Sequence, residues 1–220
     1  KTARIPKIIH HIWIGSPFPE KYKKFRESWM RLHPDWEFKL WTDAEIQALG
    51  LEKKAEYDAS SNYGEKSDIA RYEILYRFGG LYIDTDFECL QPFDVFHHCF
   101  DFYTSFVWDN QIVLQNGLIG SIPGHPILRR CIDRVQRKQN DRDTFAEILV
   151  RTGPVMFMQV FFELANHSNY IDVALPSNYV YPWPYQFRHL NSPQEVAAWL
   201  KPESFAVHYW HVSWNNGNVR

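Results

Sequence analysis

Asp84 and Asp86, which are separated by one residue, form the pattern that most directly indicates chemistry in this 220-residue chain. They follow the apolar run LYI, which is typical of a strand, and ligands of α/β sheets bind beyond the carboxyl ends of strands. Residues i and i+2 of an extended segment point the same way, so both carboxylates are expected to stand exposed in one cleft. Such oxygen ligands suit Mn²⁺ or Mg²⁺ held together with a diphosphate. The alternative is a polar strand end.

A helix predicted from Ser67 positions these aspartates. Its apolar stripe recurs at helical spacing and comprises Ile69, Tyr72, Leu75 and Tyr76. The helix is expected to end at Gly79-Gly80, because glycine readily adopts the left-handed conformation of a helix C-terminus. Asp68 and Arg71 lie three residues apart and therefore share one face of this helix.

The string from Ser67 to Glu88 resembles the DXD-containing sugar-binding region of glycosyltransferase family 32. That family includes yeast-type initiating α-1,6-mannosyltransferases and bacterial capsule and lipopolysaccharide enzymes. The string is also similar to the matching block of the large clostridial glucosylating toxins. A spaced set of residues carries the match: Ser67, Asp68, Arg71, Leu75, Gly79, Gly80, Tyr82, Asp84 and Asp86.

Blocks at both ends of the chain extend the resemblance. The opening IPKIIHHIWIG is similar to the family's first strand, whose tryptophan, here Trp13, stacks on a nucleotide base. The closing AVHYWHVSW resembles the family pattern AxHHWxGSW, with His208 at the first histidine. Three positions depart from that pattern: Tyr209, His211 and Val212. They leave open whether His208 or His211 reaches the metal. The blocks NGLIGSIPGHPIL and TGP also resemble family landmarks.

The resemblance implies a metal site. Asp86 would be the direct carboxylate ligand, whereas Asp84 would bind a ribose or sugar hydroxyl and touch the metal directly or through water. His208 would supply a neutral imidazole as a further ligand. In an extended chain His211 points to the opposite face, so we expect it to stay outside the site. The alternative for either histidine is a structural role.

Other matched residues would bind the nucleotide-sugar. Trp13 would stack on uracil or guanine with Ile14 beside it, unless this tryptophan belongs to the core. Asp68 and Arg71 would pair and bind sugar hydroxyls, the alternative being an ion pair that holds the helix to the sheet. Asn116 would bond a donor-sugar hydroxyl or serve a turn.

The implied reaction transfers a hexosyl unit from a nucleoside diphosphate sugar, with a UDP-sugar preferred over GDP-mannose, to a hydroxyl acceptor with retention of configuration. Ser213 and Trp214 would bind the leaving diphosphate, Trp214 through its indole N–H. No Asp or Glu is placed by the motifs as a nucleophile, which favours same-face substitution. The alternatives are a nucleotide-sugar hydrolase or nucleotidyltransferase, and an inactive carbohydrate-binding module.

The resemblance implies a GT-A fold in a single domain spanning 1–220. A Rossmann-like nucleotide-binding half would occupy about 1–90 and a mixed acceptor-binding half about 91–220, with a metal and diphosphate segment at 206–216. Independently, strands and helices alternate over the first 50 residues, which indicates an α/β layer. The aromatic content of 17% suggests a cleft for flat ligands.

Charge and cysteine usage narrow the partners and the compartment. A formal net charge of -2 argues against nucleic-acid binding, which requires a dense basic face. The three cysteines, Cys89, Cys99 and Cys131, form no CxxC spacing and indicate free, mostly buried thiols in a reducing compartment. We expect no transmembrane segment, peripheral membrane contact at most, and a cytoplasmic location. The Golgi lumen is the alternative if an anchor precedes Lys1. The expected acceptor is a glycan, glycolipid or protein.

Overall fold

A mixed β-sheet lies at the centre of the computed structural model, which describes residues 2–109, 111–136, 144–167, 169–190 and 192–211. The strands are β1 (Ile8–Ile12), β2 (Glu37–Trp41), β3 (Gly80–Ile83), β4 (Phe87–Cys89), β5 (Phe102–Asp109), β6 (Gln111–Ser121), β7 (Asp172–Leu175) and β8 (Ala206–His208). Six of them form one sheet in the order β2-β1-β3-β6-β5-β7, and β4 pairs with β8 in a second, two-stranded sheet. The predicted α/β class is therefore confirmed.

The pairing divides the main sheet into two parts. Strand β1 runs parallel to both β2 and β3, which is the arrangement of a nucleotide-binding layer. Strand β6 is antiparallel to both β3 and β5, whereas β7 is parallel to β5. Because β3 and β6 are direct neighbours, the early and late parts of the chain share one continuous sheet.

Helices cover this sheet and connect its strands. They are α1 (Glu20–Leu32), α2 (Asp43–Leu49), α3 (Lys54–Ala59), α4 (Tyr63–Phe78), α5 (Asp94–Cys99), α6 (Pro126–Arg134), α7 (Phe145–Arg151), α8 (Pro154–Leu164), α9 (Ser177–Val180) and α10 (Pro193–Ala197), with a 3-10 turn at Tyr185–Phe187. Capping boxes open α2 and α10, as the patterns Thr42-x-x-Glu45 and Ser192-x-x-Glu195 predict.

Two predicted boundaries are wrong. Helix α4 begins at Tyr63 rather than Ser67, because the side chain of Asn62 accepts a hydrogen bond from the backbone N–H of Glu65 and caps an extra turn. The run FAVHYW predicts a last strand over 205–210, but that strand covers only Ala206–His208. Trp210 has a φ of 56°, a left-handed conformation that ends the extended run.

Side chains from the two faces of the sheet enter two separate apolar clusters. On β3, Tyr82 packs into one cluster while Leu81 and Ile83 pack into the other. This period of two is what a doubly covered sheet requires. Gly120 on β6 permits close packing on one face, since a Cβ atom there would lie 2.1 Å from the ring of Tyr103.

The apolar segment Phe145–Leu164 is long and apolar enough to cross a membrane by length and composition, with a mean hydropathy of 1.3. Charged residues interrupt it, so it contains no uninterrupted apolar run of the roughly 20 residues that a membrane helix needs. In the structure, α7 ends at Arg151 and α8 begins at Pro154. Phe157 and Phe161 of α8 lie buried in the core, whereas Val150 and Phe162 of the same apolar segment are exposed.

The cysteines are free thiols, as the sequence predicts. Cys89 and Cys131 are buried, whereas Cys99 at the end of α5 is exposed. Burial raises the pKa of the Cys89 and Cys131 thiols well above the ordinary value, so neither is a reactive thiolate at neutral pH.

Candidate active site

The two aspartates flank a turn at the carboxyl end of β3. Asp84 directly follows β3, and its backbone N–H donates to the carbonyl of Gly117 on β6 at 2.8 Å. Asp86 directly precedes β4, and β4 pairs with β8 through Phe87 and His208. One ligand atom from each of Asp84, Asp86 and His208 lies within 4.8 Å of the others. The turn therefore brings both carboxylates and one imidazole together.

Asp86 is buried, with 5% of its surface exposed, so the expectation of an exposed carboxylate is wrong. The C-terminal segment folds across β4 and supplies two partners. Nε2 of His208 lies 2.9 Å from Oδ1, and the backbone N–H of His211 donates to Oδ2 at 2.7 Å. Burial alone would raise the pKa of Asp86, but the charge and hydrogen bond of His208 outweigh it and lower that pKa.

The two terminal histidines contribute different groups. The ring of His208 stacks on Phe87, with centroids 4.4 Å apart, and its Nδ1 atom is buried without a partner in the described residues. The ring of His211 instead lies 5.8 Å from that of Tyr22 on α1. His211 thus offers its backbone to Asp86, whereas His208 offers its side chain. The assignment of His208 as a metal ligand stays a prediction that this geometry favours.

Asp84 faces partners from two other elements. Its Oδ1 accepts a hydrogen bond from the hydroxyl of Tyr82 at 2.7 Å and lies 3.4 Å from a guanidinium nitrogen of Arg71. About a third of its side chain, 31%, remains exposed. Burial raises the pKa of Asp84 against the opposing charges of Arg71 and His208, and a bound cation would reverse that shift.

Arg71 occupies the centre of a buried network beneath Asp84. Its guanidinium lies 3.3 Å from Oδ1 of Asp68 and donates to the backbone carbonyl of Asn116 at 2.7 Å. The guanidinium carbon also lies 4.4 Å above the ring of Tyr82. The predicted pair of Asp68 and Arg71 is therefore present, and Arg71 links it to Asp84.

Asp68 accepts further hydrogen bonds from distant parts of the chain. The side-chain amide of Asn116 donates to Oδ1 of Asp68 at 2.8 Å and to the hydroxyl of Tyr72 at 2.9 Å. Both amide protons of Asn116 are thereby used within the protein. The hydroxyl of Thr152 donates to Oδ2 of Asp68 at 3.2 Å. Despite these contacts, burial raises the pKa of Asp68 to about 7.

The predicted base-binding residues lie where β1 ends. Trp13 is half-buried, donates from its indole nitrogen to the Ser16 hydroxyl at 3.1 Å, and packs 5.1 Å from the ring of Tyr22. Tyr22 in turn contacts His211, so a row of rings joins Trp13 to the segment that binds Asp86. Ile14 is buried in the core, which leaves its backbone as the group it would offer a nucleotide. Ser213 and Trp214 lie outside the described residues.

Several residues of the site were not predicted as functional. Thr152 belongs to the TGP block. The resemblance of that block to a family landmark is the signal that could have marked Thr152 as a residue of the site. Tyr72 follows Arg71 and lies one helical turn after Asp68, a spacing that marks it as a neighbour. Gly117 belongs to the NGLIGSIPGHPIL block, and that resemblance is its signal. Tyr181 carries no motif signal, because its proximity to Asp84 arises from the tertiary fold.

Known proteins resemble this chain in sequence and in fold. A model described as the glycosyltransferase sugar-binding region containing the DXD motif matches residues 19–104. Inositol phosphoceramide mannosyltransferase 3 of Schizosaccharomyces pombe is 31% identical over 168 residues, covering 74% of this chain and 46% of that protein. An uncharacterized glycosyltransferase of Acanthamoeba polyphaga mimivirus is 29% identical over 188 residues, covering 81% of this chain and 73% of that protein. The chain thus spans less than half of the yeast relative.

Solved structures establish the fold. The catalytic domain of α-toxin from Clostridium novyi superposes with a TM-score of 0.60 at 10% identity, covering 74% of this chain and 73% of that one. The expected GT-A fold is therefore confirmed, as is the resemblance seen in the motifs. Residues 19–104 of this chain match the glycosyltransferase sugar-binding region that contains the DXD motif, and the chain is similar to glycosyltransferases in sequence and in fold.

Proposed function

We propose that this chain is a retaining, divalent-metal-dependent glycosyltransferase that moves a hexosyl unit from a nucleoside diphosphate sugar to a hydroxyl acceptor. One observation carries the proposal. The two carboxylates of the DXD motif and the imidazole of His208, which lies 122 residues after Asp86, converge at the carboxyl edge of a GT-A sheet. Ligands of open α/β sheets bind at such an edge.

The donor set suits Mn²⁺ or Mg²⁺. It offers carboxylate oxygens from Asp84 and Asp86 and an imidazole nitrogen from His208. Within the described residues Oδ2 of Asp84 accepts no hydrogen bond, so both lone pairs of that atom are available, one for an ion and one for a sugar hydroxyl. Nε2 of His208 would have to be unprotonated to act as a ligand, which a neutral imidazole permits. When bound, the ion would stabilise the negative charge that develops on the diphosphate as the glycosidic bond breaks.

The buried network would hold the sugar. Arg71 is fixed between Asp68 and Asp84, which orients the Asp84 carboxylate toward the exposed side of the turn. A rigidly held group loses little entropy when it binds a sugar hydroxyl, and this is how positioning contributes to rate. Trp13, at the end of the neighbouring strand β1, would stack on the base.

Retention is best served by same-face substitution. The bond between the anomeric carbon and the diphosphate oxygen breaks, the acceptor oxygen bonds to that carbon from the same side, and the acceptor proton moves to the leaving phosphate. A double displacement would need a separate carboxylate nucleophile. Among the described site carboxylates, Asp68 is committed to Arg71, Asn116 and Thr152, and Asp84 and Asp86 form the proposed metal site.

Two observations favour different donor sugars. Similarity of the Trp13 block to glucosylating toxins favours UDP-hexoses, whereas the name of the yeast relative favours mannose. That name also indicates a glycolipid acceptor, a glycan or a protein side chain being the alternatives. GDP-mannose is therefore tested beside the UDP-hexoses.

The experiment is a donor screen with Mn²⁺ over UDP-glucose, UDP-galactose, UDP-N-acetylglucosamine and GDP-mannose. Release of nucleoside diphosphate is measured together with sugar transfer to a hydroxyl acceptor. We expect one donor to turn over, and chelation to abolish the turnover. Nucleotide release without transfer to any acceptor would favour a hydrolase. Sugar binding without nucleotide affinity would favour a carbohydrate-binding module.

A further inference from the structure

Tyr181 is a buried tyrosine beside the proposed active site whose hydroxyl has no hydrogen-bond partner among the described residues. Only 3% of its surface is exposed. The ring is held on three sides, stacked on Trp210 at 5.4 Å and packed edge-on against Phe87 at 5.3 Å and His208 at 5.7 Å. A buried hydroxyl without an acceptor is destabilising, and such groups are rare in folded proteins. The Tyr181 hydroxyl is therefore available to donate a hydrogen bond to a ligand.

The Tyr181 hydroxyl and the Asp84 carboxylate both lie close to Gly117 on β6. A Cβ atom at Gly117 would lie 2.7 Å from Oδ2 of Asp84 and 3.3 Å from the Tyr181 hydroxyl oxygen. The backbone is fixed there, because the carbonyl of Gly117 accepts the N–H of Asp84. Glycine thus allows the carboxylate to lie closer to the backbone of β6 than a side chain at this position would permit.

The chemistry of these two groups together matches an alcohol. Burial, reinforced by the charge of Asp84, raises the pKa of Tyr181 well above its ordinary value, so the hydroxyl stays protonated and can donate. Oδ2 of Asp84 can only accept when ionised. One group that both accepts and donates satisfies the two atoms, and a hydroxyl does so. A phosphate oxygen carries no proton for the carboxylate and would be repelled by it.

We propose that Tyr181 and Oδ2 of Asp84 form a subsite, shaped by Gly117, for one hydroxyl group of the donor hexose. The Asp84 carboxylate accepts a hydrogen bond from that hydroxyl, and the Tyr181 hydroxyl donates one to its oxygen. This inference rests on the proposed function and extends it to a residue that would contact the sugar but not the nucleotide.

The test is Tyr181→Phe, which removes only the hydroxyl and keeps the packed ring. Calorimetry with Mn²⁺ measures the affinity for UDP and UDP-glucose, or for GDP and GDP-mannose if the screen selects that donor. We expect unchanged affinity for the free nucleotide, affinity for the nucleotide-sugar lowered about three- to tenfold, and a melting temperature no lower than that of the wild type. Tyr57→Phe, a buried tyrosine of α3, is the matched control and should change neither affinity.

Deoxy analogues of the donor sugar identify the hydroxyl that is bound. The analogue that lacks it should bind the wild type and Tyr181→Phe equally. Gly117→Ala, whose Cβ atom would crowd Oδ2 of Asp84 and the Tyr181 hydroxyl, should weaken nucleotide-sugar binding more than nucleotide binding. If Tyr181→Phe binds both ligands as the wild type does, the hydroxyl faces only water and the subsite is refuted. If the wild type binds nucleotide and nucleotide-sugar equally and transfers no sugar, the proposed function itself fails.

Discussion

Nε2 of His208 lies 2.9 Å from Oδ1 of Asp86, although 122 residues separate them in the chain. The contact forms because β8 pairs with β4, with His208 directly opposite Phe87. Completion of the site therefore depends on docking of the C-terminal segment onto the strand that follows the DXD turn. Changes that loosen β8 should affect the site even where they touch neither carboxylate.

Replacement of Asp86 should abolish activity and also lower stability. Asp86→Ala removes a proposed metal ligand, and we expect turnover to fall by more than about 100-fold. It also leaves the His211 N–H and the His208 ring without their acceptor. An unpaired buried group costs about 1–3 kcal/mol, so the melting temperature should drop by roughly 3–10 °C. Activity assays and thermal melts without metal measure the two effects.

Glu88→Ala is the matched control for this variant. Glu88 lies two residues after Asp86. It accepts a hydrogen bond at 2.7 Å from the hydroxyl of Tyr209, a residue of the C-terminal segment. Because Glu88→Ala removes one side-chain contact but keeps the backbone pairing of β4 with β8, it should cost some stability and lower turnover far less than Asp86→Ala does. Equal loss of turnover in both variants would show that Asp86 acts through the fold rather than through the reaction.

The two C-terminal histidines should differ in their effect on metal dependence. His208→Ala removes the imidazole next to Asp86, whereas His211→Ala keeps the backbone N–H that Asp86 accepts. Loss of a group behind a metal ligand typically costs about 10–100-fold in affinity, and loss of the ligand itself should cost more. The Mn²⁺ concentration for half-maximal donor hydrolysis should therefore rise far more in His208→Ala. The opposite order would assign the imidazole of His211 to the metal.

Trp13→Ala should raise the donor KM more than it lowers kcat. Stacking on a base is worth about 1–3 kcal/mol and is made equally in the ground and transition states, so KM should rise roughly 5- to 100-fold. Trp108→Ala is the control, because this tryptophan is 63% exposed on the β5–β6 hairpin. A kcat effect without a change in KM would place Trp13 away from the base.

Local patterns predicted much of this fold and of the site. The capping boxes, the glycine pair after α4 and the period-two strands are encoded within a few residues, and they appear where the sequence indicates. The spacing of Asp68 and Arg71 on one helical face also predicted their ion pair. By contrast, the burial of Asp86 and the convergence of Tyr181 with Asp84 depend on how distant segments pack. No periodicity in the chain reports that packing, so neither could be predicted.

The titration of Asp68 should make stability depend on pH. Burial raises its pKa to about 7 in the folded protein, whereas an unfolded aspartate titrates near about 3.9. Between these values the folded state binds more protons than the unfolded state, so the free energy of unfolding should fall as pH rises from about 4 to about 7. Asp68→Asn keeps the shape of the side chain and removes this titration. Its melting temperature should therefore decline less over that range than that of the wild type.

Thermal melts without metal from about pH 4.5 to pH 8 test this linkage. Some decline should remain in Asp68→Asn, because the pKa of Asp84 is also raised. Asp133→Asn serves as the control, since Asp133 pairs with Arg129 on the surface of α6 and should follow the wild-type profile. Parallel profiles for the wild type and Asp68→Asn would mean that Arg71, Asn116 and Thr152 keep Asp68 ionised throughout. In that case the network would present a permanent negative charge to the sugar rather than a carboxyl group that titrates near neutral pH.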